Sequence, residues 1–462
     1  MQKKNASMVT DLTGGNVTKL LLKFAFPLFV SNALQAVYNI VDMVIVGQFI
    51  GGAGMSAVSI GGDILHLLTF VAMGFSSAGQ VLVAQDVGAR RMDRVQKTIG
   101  TMFTFLLGTA LLMSVVAFCL RDAMLGWLNT PQESYAFTMD YTVTCMAGLV
   151  FIYGYNIVSA ILRGMGDSKR PFVFIAIAAV VNTILDIVFI TVFDMKVFGA
   201  ALATVIAQAV SFITALVYLY RRRESFGFDF RPESFRIERQ ALKKLVALGV
   251  PMAIQSAAIN LSKIILTSWI NLSGVVYSAL SGIYNKVNMM IGIVSQSFTT
   301  AGSTMVGQNL GAQKYDRVPK IMRTVLTCGM IISTAFALAL AFFSESIFAM
   351  FTPDADVLAA SAILVVPAIL NFYGSATRSM AFSLINGSGN TKLNFAIAII
   401  DGMISRVGIA ALLGFACQMG CQGFWYGDAL AGFMPLVIGS CYFFSGKWRL
   451  GRKPQPKAAD GE

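Results

Sequence analysis

The length of its apolar runs restricts this chain more than any other feature of its sequence. Segments 98–120, 171–193, 196–220, 324–343 and 392–416 are almost wholly apolar, and a bilayer core about 30 Å thick takes roughly 20 helical residues to cross. Lipid offers the backbone no hydrogen-bond partners, so a crossing segment must be a helix or a strand of a closed barrel. Barrel strands are about 10 residues long and alternate. These runs are about twice that length and do not alternate, so they are read as helices. Only 13% of the 462 residues are charged, against about 25% in soluble domains. Water is therefore not the solvent for most of the surface, in keeping with a mean hydropathy of +0.70.

The expected architecture is an all-α integral membrane protein with twelve transmembrane helices. The spans fall near 19–48, 54–84, 96–120, 134–162, 170–193, 197–220, 243–271, 275–307, 320–344, 357–385, 392–415 and 420–445. The first 17 residues are polar, and the run that follows is too long for a signal-peptide core, so it is retained as the first span. The one long polar interval, Arg221 to Gln240, divides the chain. This gives an N-lobe over 1–220, a linker over 221–242, a C-lobe over 243–446 and a polar tail over 447–462.

Charge placement sets the topology. With both termini inside, 29 of the 35 Lys and Arg residues lie in inner loops or at inner span ends, among them Lys3, Lys4, Arg452, Lys453 and Lys457. Only Arg121 and Lys196 lie in outer loops. The positive-inside rule then orients the chain and accounts for its basic character without nucleic acid. The six cysteines form no Cys-x-x-Cys pair, and Cys417 and Cys421 are expected to pack as small apolar residues rather than form a bridge. No metal cluster, no Gly-x-Ser-x-Gly and a single histidine argue against an enzyme.

The halves repeat. Residues 88–95, Gly-Ala-Arg-Arg-Met-Asp-Arg-Val, match 311–318, Gly-Ala-Gln-Lys-Tyr-Asp-Arg-Val, at an offset of 223. Residues 163–169, Arg-Gly-Met-Gly-Asp-Ser-Lys, match 386–392, Asn-Gly-Ser-Gly-Asn-Thr-Lys, at the same offset, and Pro27 matches Pro251 at 224. Six helices per repeat, an even number, make the two six-helix lobes parallel repeats about a pseudo-two-fold axis along the membrane normal. A solute path between the lobes, with alternating access, is the expected consequence.

Ionisable groups inside spans mark the candidate sites, because a charge at mid-bilayer costs about 2.5–3.5 kcal/mol on insertion scales. Gln35, Tyr38, Asn39 and Asp42 are spaced i, i+3, i+4, i+7 and share one face of the first span. Asn182 and Asp186 share a face of the fifth. Tyr153 and Asn156 lie in the fourth and Thr204 in the sixth. Two carboxylates brought close in low dielectric hold a proton or a cation between them. Asp42, Asp186, Asn182, Asn156 and Thr204 are therefore candidates for an H⁺ or Na⁺ site, with Gln35, Tyr38, Asn39 and Tyr153 lining a substrate cavity. Asp63 and His66, one turn apart, are either a proton relay or a self-neutralising pair. The C-lobe carries Lys263, Lys286, Arg406, Asp401 and Asp428, with Arg378 further in. These read as buried pairs that fix packing more readily than as a binding site. Pro27 removes a backbone hydrogen bond below the polar stripe and allows a kink there.

These features together resemble the multidrug and toxic compound extrusion (MATE) family of secondary transporters. The resemblance rests on the two-times-six layout and the Pro27-to-Asp42 stripe. It also rests on residues 83–89, Val-Ala-Gln-Asp-Val-Gly-Ala, with their repeat 306–312, Val-Gly-Gln-Asn-Leu-Gly-Ala, and on residues 162–169, Leu-Arg-Gly-Met-Gly-Asp-Ser-Lys. It implies a V-shaped pair of lobes in a bacterial cytoplasmic membrane, acting as a monomer and exporting amphipathic cations or drugs in exchange for H⁺ or Na⁺. No cofactor beyond that ion is implied. In the branch with an N-lobe acidic site, the functional residues fall on Asp42, Asn156, Asn182, Asp186 and Thr204, with a polar residue at Gln35. A second branch has acids in helices 7 and 10, where this chain has Ile259 or Asn260, and Ser375, so a C-lobe acidic site is not expected. A lipid-linked precursor flippase of the same superfamily is the alternative, kept open by Lys263, Lys286 and Arg406.

Overall fold

Glycine and asparagine punctuate the helices where the chain must turn. Asn16 caps the first helix by accepting from the Lys19 amide at 3.0 Å, and Gly51 ends it at φ 85°, a conformation that disfavours any side chain. Gly274, 223 residues on, makes the corresponding turn at φ 108°. The structure is a computed structural model and describes residues 10–225 and 227–450. Lys3, Lys4, Arg452, Lys453, Lys457 and most of the expected polar tail lie outside the described residues.

The long helices are α1 (Val17–Ile50), α2 (Gly52–Gly88) and α3 (Met92–Trp127), then α4, a pair Gln132–Ala147 and Leu149–Gly164 bent by 48° at Gly148. They continue with α5 (Lys169–Val192), α6 (Lys196–Arg221), α7 (Arg239–Asn271), α8 (Val275–Gly311), α9 (Arg317–Ala349), α10 (Ala355–Ser388), α11 (Thr391–Ala416) and α12 (Cys421–Phe444). Ten are singly long and apolar enough to cross a bilayer, and the bent α4 pair is an eleventh crossing. The twelfth, α8, has 37 residues but is more polar, carrying Asn285, Lys286, Asn288, Gln296 and a run of Ser and Thr. The fold is thus the expected all-α bundle of two six-helix sets.

The helices outrun the predicted spans. At 1.5 Å per residue the 34-residue α1 is about 50 Å long, well beyond the hydrocarbon core. Hydropathy locates the apolar middle of such a helix and not its ends. It is also blind to internal breaks. Besides the α4 bend, α5 ends in a π-helical turn over Val188–Val192, and α11 contains two more over Ile400–Ser405 and Leu412–Ala416. Such widened turns concentrate at functional sites, and the first turn in α11 carries Asp401.

The hydrophobic cores do not part cleanly at the linker. Val17, Leu21, Phe24 and Leu28, the first third of α1, pack in the C-half core with Met305, Val306 and Ile321. Leu245, Leu248 and Met252 of α7 pack in the N-half core with Phe75, Val83 and Ile99. Farther along, Val46 of α1 returns to the N-half and Leu266 and Ile270 of α7 return to the C-half. Each helix changes lobe near its internal proline, Pro27 or Pro251, where the missing amide donor leaves a weak point in the helix.

At the basic end the lobes lock. The Gln85 amide donates to the Gly387 carbonyl at 2.9 Å, and the Gln308 amide donates to the Gly164 carbonyl at 3.1 Å. These two bonds are each other's images under the repeat. Between them α2 and α8 cross backbone to backbone: a Cβ on Gly88 would meet the Gln308 carbonyl, and one on Gly311 would meet the Gln85 carbonyl. Gln80 adds a bond to the Thr304 hydroxyl at 2.7 Å while accepting from Arg163 at 2.8 Å. Residues 10–15 strap across this seam. The Thr10 amide donates to Met165, the Leu12 amide donates to Gln308, and Lys314 and Arg317 donate to the carbonyls of Thr13 and Gly15. Asp11 turns back on Thr13, whose hydroxyl and amide, with Lys314 and Arg90 nearby, hold its carboxyl below the usual carboxylate range despite some burial.

The crossing makes a prediction. Gly88→Ala and Gly311→Ala each force backbone apart and are expected to cost about 1–3 kcal/mol, read as a lower thermal midpoint in detergent. Gly62→Ala, on the same helix as Gly88 but with open space around it, should be neutral or slightly stabilising. Equal midpoints for all three variants would show that the crossing carries no constraint.

Candidate functional site

Because the lobes meet at the basic end, they part toward the other. A cavity of about 1660 Å³ opens between them there. Its mouth is set by the far ends of α3 (Met124, Trp127) and α7 (Asn271, Leu272), and its floor by Asn32, Asn288 and Gln296. Most of the wall is apolar. The charges that face it are Asp63 and His66 of α2 on the N-half and Lys263 of α7 on the C-half. No hydrogen bond or ion pair joins Asp63 to His66. The imidazole instead lies 4.6 Å from the Phe70 ring, edge to face.

The polar stripe of α1 does not line this cavity. Gln35, Tyr38, Asn39 and Tyr153 are absent from its wall, which takes only Asn32 from α1. The structure places these four residues elsewhere, for local reasons. Tyr153 is fully buried and donates its hydroxyl to the Leu68 carbonyl at 2.8 Å, so it ties α4 to α2. Tyr38 turns inward to Gln35 and Gln208. Asn39 is exposed.

Inside the N-half, Asp42 and Asp186 come together. Asp42 is 6% exposed, Asn182 2% and Asp186 0%, and the two carboxylates lie within electrostatic reach of each other. Asn182 donates to the Thr204 hydroxyl at 3.5 Å. Asp42 Oδ1 and both oxygens of Asp186 lack a hydrogen-bond partner. A buried acceptor left bare costs about 1–3 kcal/mol, and more when charged, so a proton, a cation or a donated hydrogen bond would satisfy these oxygens. Asn156, half-buried, donates its amide back to the Ile152 carbonyl at 2.9 Å. Tyr141 and Cys145 of α4 complete the surroundings, both buried and both within electrostatic reach of Asp42. Sequence reasoning missed them, although Ser134, Thr138, Tyr141, Thr142 and Cys145 form a buried polar stripe at helical spacing.

The C-half holds the opposite arrangement. Arg406, 1% exposed, pairs with Asp428, whose carboxylate also meets the Tyr284 hydroxyl at 3.4 Å. Arg378 pairs with Asp401 at 3.2 Å. Lys263 lies within electrostatic reach of Asp428, Arg406 and Arg378. Lys286 is exposed on another face of α8 and does not join them. Its neighbours in register, Asn285 and Asn288, are the ones that reach the large cavity. Beside the cluster a smaller cavity of about 240 Å³ is lined by Lys263, Arg378 and Arg406 together with Gln255, Ile259 and Ser375. Among the described residues no group of acids, histidines and cysteines could hold a metal ion, and all six cysteines are free.

Comparisons with known proteins agree with this architecture. The MatE family model matches the chain twice, over residues 27–188 and 251–412, in step with the internal repeat. The chain is 27% identical over 430 residues to a probable multidrug resistance protein, YoeA, of Bacillus subtilis (strain 168), covering 92% of each chain. It is 30% identical over 310 residues to a second from that organism, YpnP, covering 67% of this chain and 68% of the relative. Its fold is similar to a solved structure described as the outward-facing conformation of a multidrug resistance MATE family transporter of the MOP superfamily. The TM-score is 0.88 at 18% identity, over 98% of this chain and 100% of that one. At such identity the likeness concerns the fold alone. The two-fold match to the family model covers both six-helix halves, and the chain belongs to the MatE family of membrane transporters.

Proposed function

We propose that this protein is a secondary antiporter that exports amphipathic small molecules, cations among them, in exchange for H⁺ or Na⁺ bound at Asp42 and Asp186. The observation that carries the reading is the pair of buried carboxylates with three bare oxygens. The names of the similar Bacillus proteins support drug export as the physiological task.

The basic end is taken as cytoplasmic, in keeping with the excess of Lys and Arg there. The large cavity then faces outward and both termini lie inside. Substrate occupies that cavity, with Asp63 as the carboxylate for a cationic centre and the apolar wall for the rest. The ion site lies in a different place, within the N-half, and α1 connects it to the lobe seam. Asp42 sits on the stretch of α1 held by the N-half, while Leu21 and Phe24 are held by the C-half core. A change of shape around Asp42 is therefore passed through the Pro27 region to the contact between lobes. Loading an ion relieves the bare oxygens, lowers affinity for a cationic substrate and favours opening at the basic end. Substrate binding from inside reverses the bias. One charge moving through 100 mV supplies about 2.3 kcal/mol, close to a fifty-fold gradient, so one or two ions suffice.

Asp42→Asn and Asp186→Asn should each reduce efflux of a fluorescent cation such as ethidium from cells at least tenfold, with unchanged protein in the membrane. In proteoliposomes, an imposed pH or Na⁺ gradient should drive export by the wild type and not by either variant. Normal export by both variants would contradict the site assignment.

A further inference from the structure

We infer that the small C-half cavity is a subsite for an anionic group, a carboxylate or phosphate, carried by an amphipathic molecule whose body lies in the inter-lobe cavity. Its place in a transport cycle rests on the antiport reading above, but its existence as a binding site does not.

Its lining charges are all of one sign. Lys263, Arg378 and Arg406 face the cavity, and among the described residues no carboxylate does. Asp401 and Asp428 lie behind the two arginines, so the cluster holds three cations against two anions. The arginines are only partly used by those partners. Arg406 spends one nitrogen, Nη1, on Asp428; its Nε and Nη2 are buried without a partner, as is the Nε of Arg378. The Gln255 amide nitrogen on the same wall is likewise bare. Lys263 makes no ion pair or hydrogen bond among the described residues. Two buried pairs that served only to fix packing would leave neither an unmatched charge nor donors without a partner. A planar guanidinium with two free N–H groups is shaped to take an oxyanion edge-on.

Size and position narrow the ligand further. At about 240 Å³ the cavity takes a headgroup and not a whole drug. It shares Lys263, Asn288, Gly292 and Gln296 with the large cavity, so a molecule can place its anionic end here and its apolar part against Ile254, Leu261 and Ile264. With Asp63 on the opposite wall, a zwitterion is accommodated as well as an acid.

The test is equilibrium binding to the purified, full-length protein in non-ionic detergent, with no ion gradient. The probes are 11-(dansylamino)undecanoic acid and its methyl ester, which share the same body and differ at the headgroup, charged in one and neutral in the other. The wild type should bind the acid at least tenfold more tightly than the ester. Lys263→Gln should bring the ratio near one, and Lys263→Arg should restore it. Arg378→Gln, checked for folding by size exclusion and thermal midpoint, should also lower it. Displacement of the acid by millimolar inorganic phosphate would assign the pocket to a free small anion. Displacement only by phosphatidate in nanodiscs would assign it to a lipid headgroup, and displacement by neither to a soluble amphipathic acid. All three outcomes uphold the anion site. Equal binding of acid and ester by the wild type would overturn it, as would an unchanged ratio in folded Lys263→Gln. Because binding is read without transport, a protein that fails here but still exports overturns the subsite alone.

Discussion

The close approach of α2 and α8 at the basic end is the contact from which the rest of the arrangement follows. Two helices can touch backbone to backbone only where neither carries a Cβ, and Gly88 and Gly311 meet that condition. Beside them Gln85 and Gln308 reach across the seam to carbonyls of the opposite half. A bundle pinched at one end must splay at the other, so the large cavity is the geometric counterpart of the crossing. The polar part of the contact is made of hydrogen bonds of about 1 kcal/mol net each. Such a seam can hold a resting state and still release when a bias of a few kcal/mol is applied.

The charges inside the bundle are divided between its halves in a way that suits two different tasks. The N-half holds carboxylates with bare oxygens and no base paired to them. The C-half holds arginines already anchored by aspartates, with donors left over. Both arginines line the smaller cavity, and some of their buried donors have no partner. The carboxylate pair and the two cavities thus have separate places, connected by helices that belong to both halves. Because α1 and α7 each change lobe near a proline, neither half can rearrange without moving a segment packed in the other.

Much of this was legible in the sequence. Run length and charge bias located the spans, since crossing a bilayer imposes a length that composition cannot disguise. The offset of 223 announced the repeat, and the matched Gly-Ala loops turned out to flank the seam. Asp42 and Asp186 stood out because spans rarely carry carboxylates. What was not legible depends on side-chain direction and on partners far away in sequence. Tyr153 looked like a cavity residue by position and is instead spent on Leu68. Lys286 has the right register for the C-half cluster but leaves α8 on another face. The role of Gln85 and Gln308 needed the crossing itself, and the lobe change of α1 and α7 needed the two cores. The bend at Gly148 and the π-helical turns of α11 leave no mark in hydropathy.

The central claim is that occupancy of the Asp42–Asp186 pair sets which end of the molecule is open. Electron–electron resonance distances between spin labels at Trp127→Cys and Leu272→Cys, exposed at opposite sides of the mouth, test it most directly. The account predicts a shift toward shorter distances when H⁺ or Na⁺ is supplied, and loss of that shift when Asp42 and Asp186 are both changed to Asn. A mouth distance that ignores both ions in the unmodified site, or a shift that survives in the double variant, would contradict it.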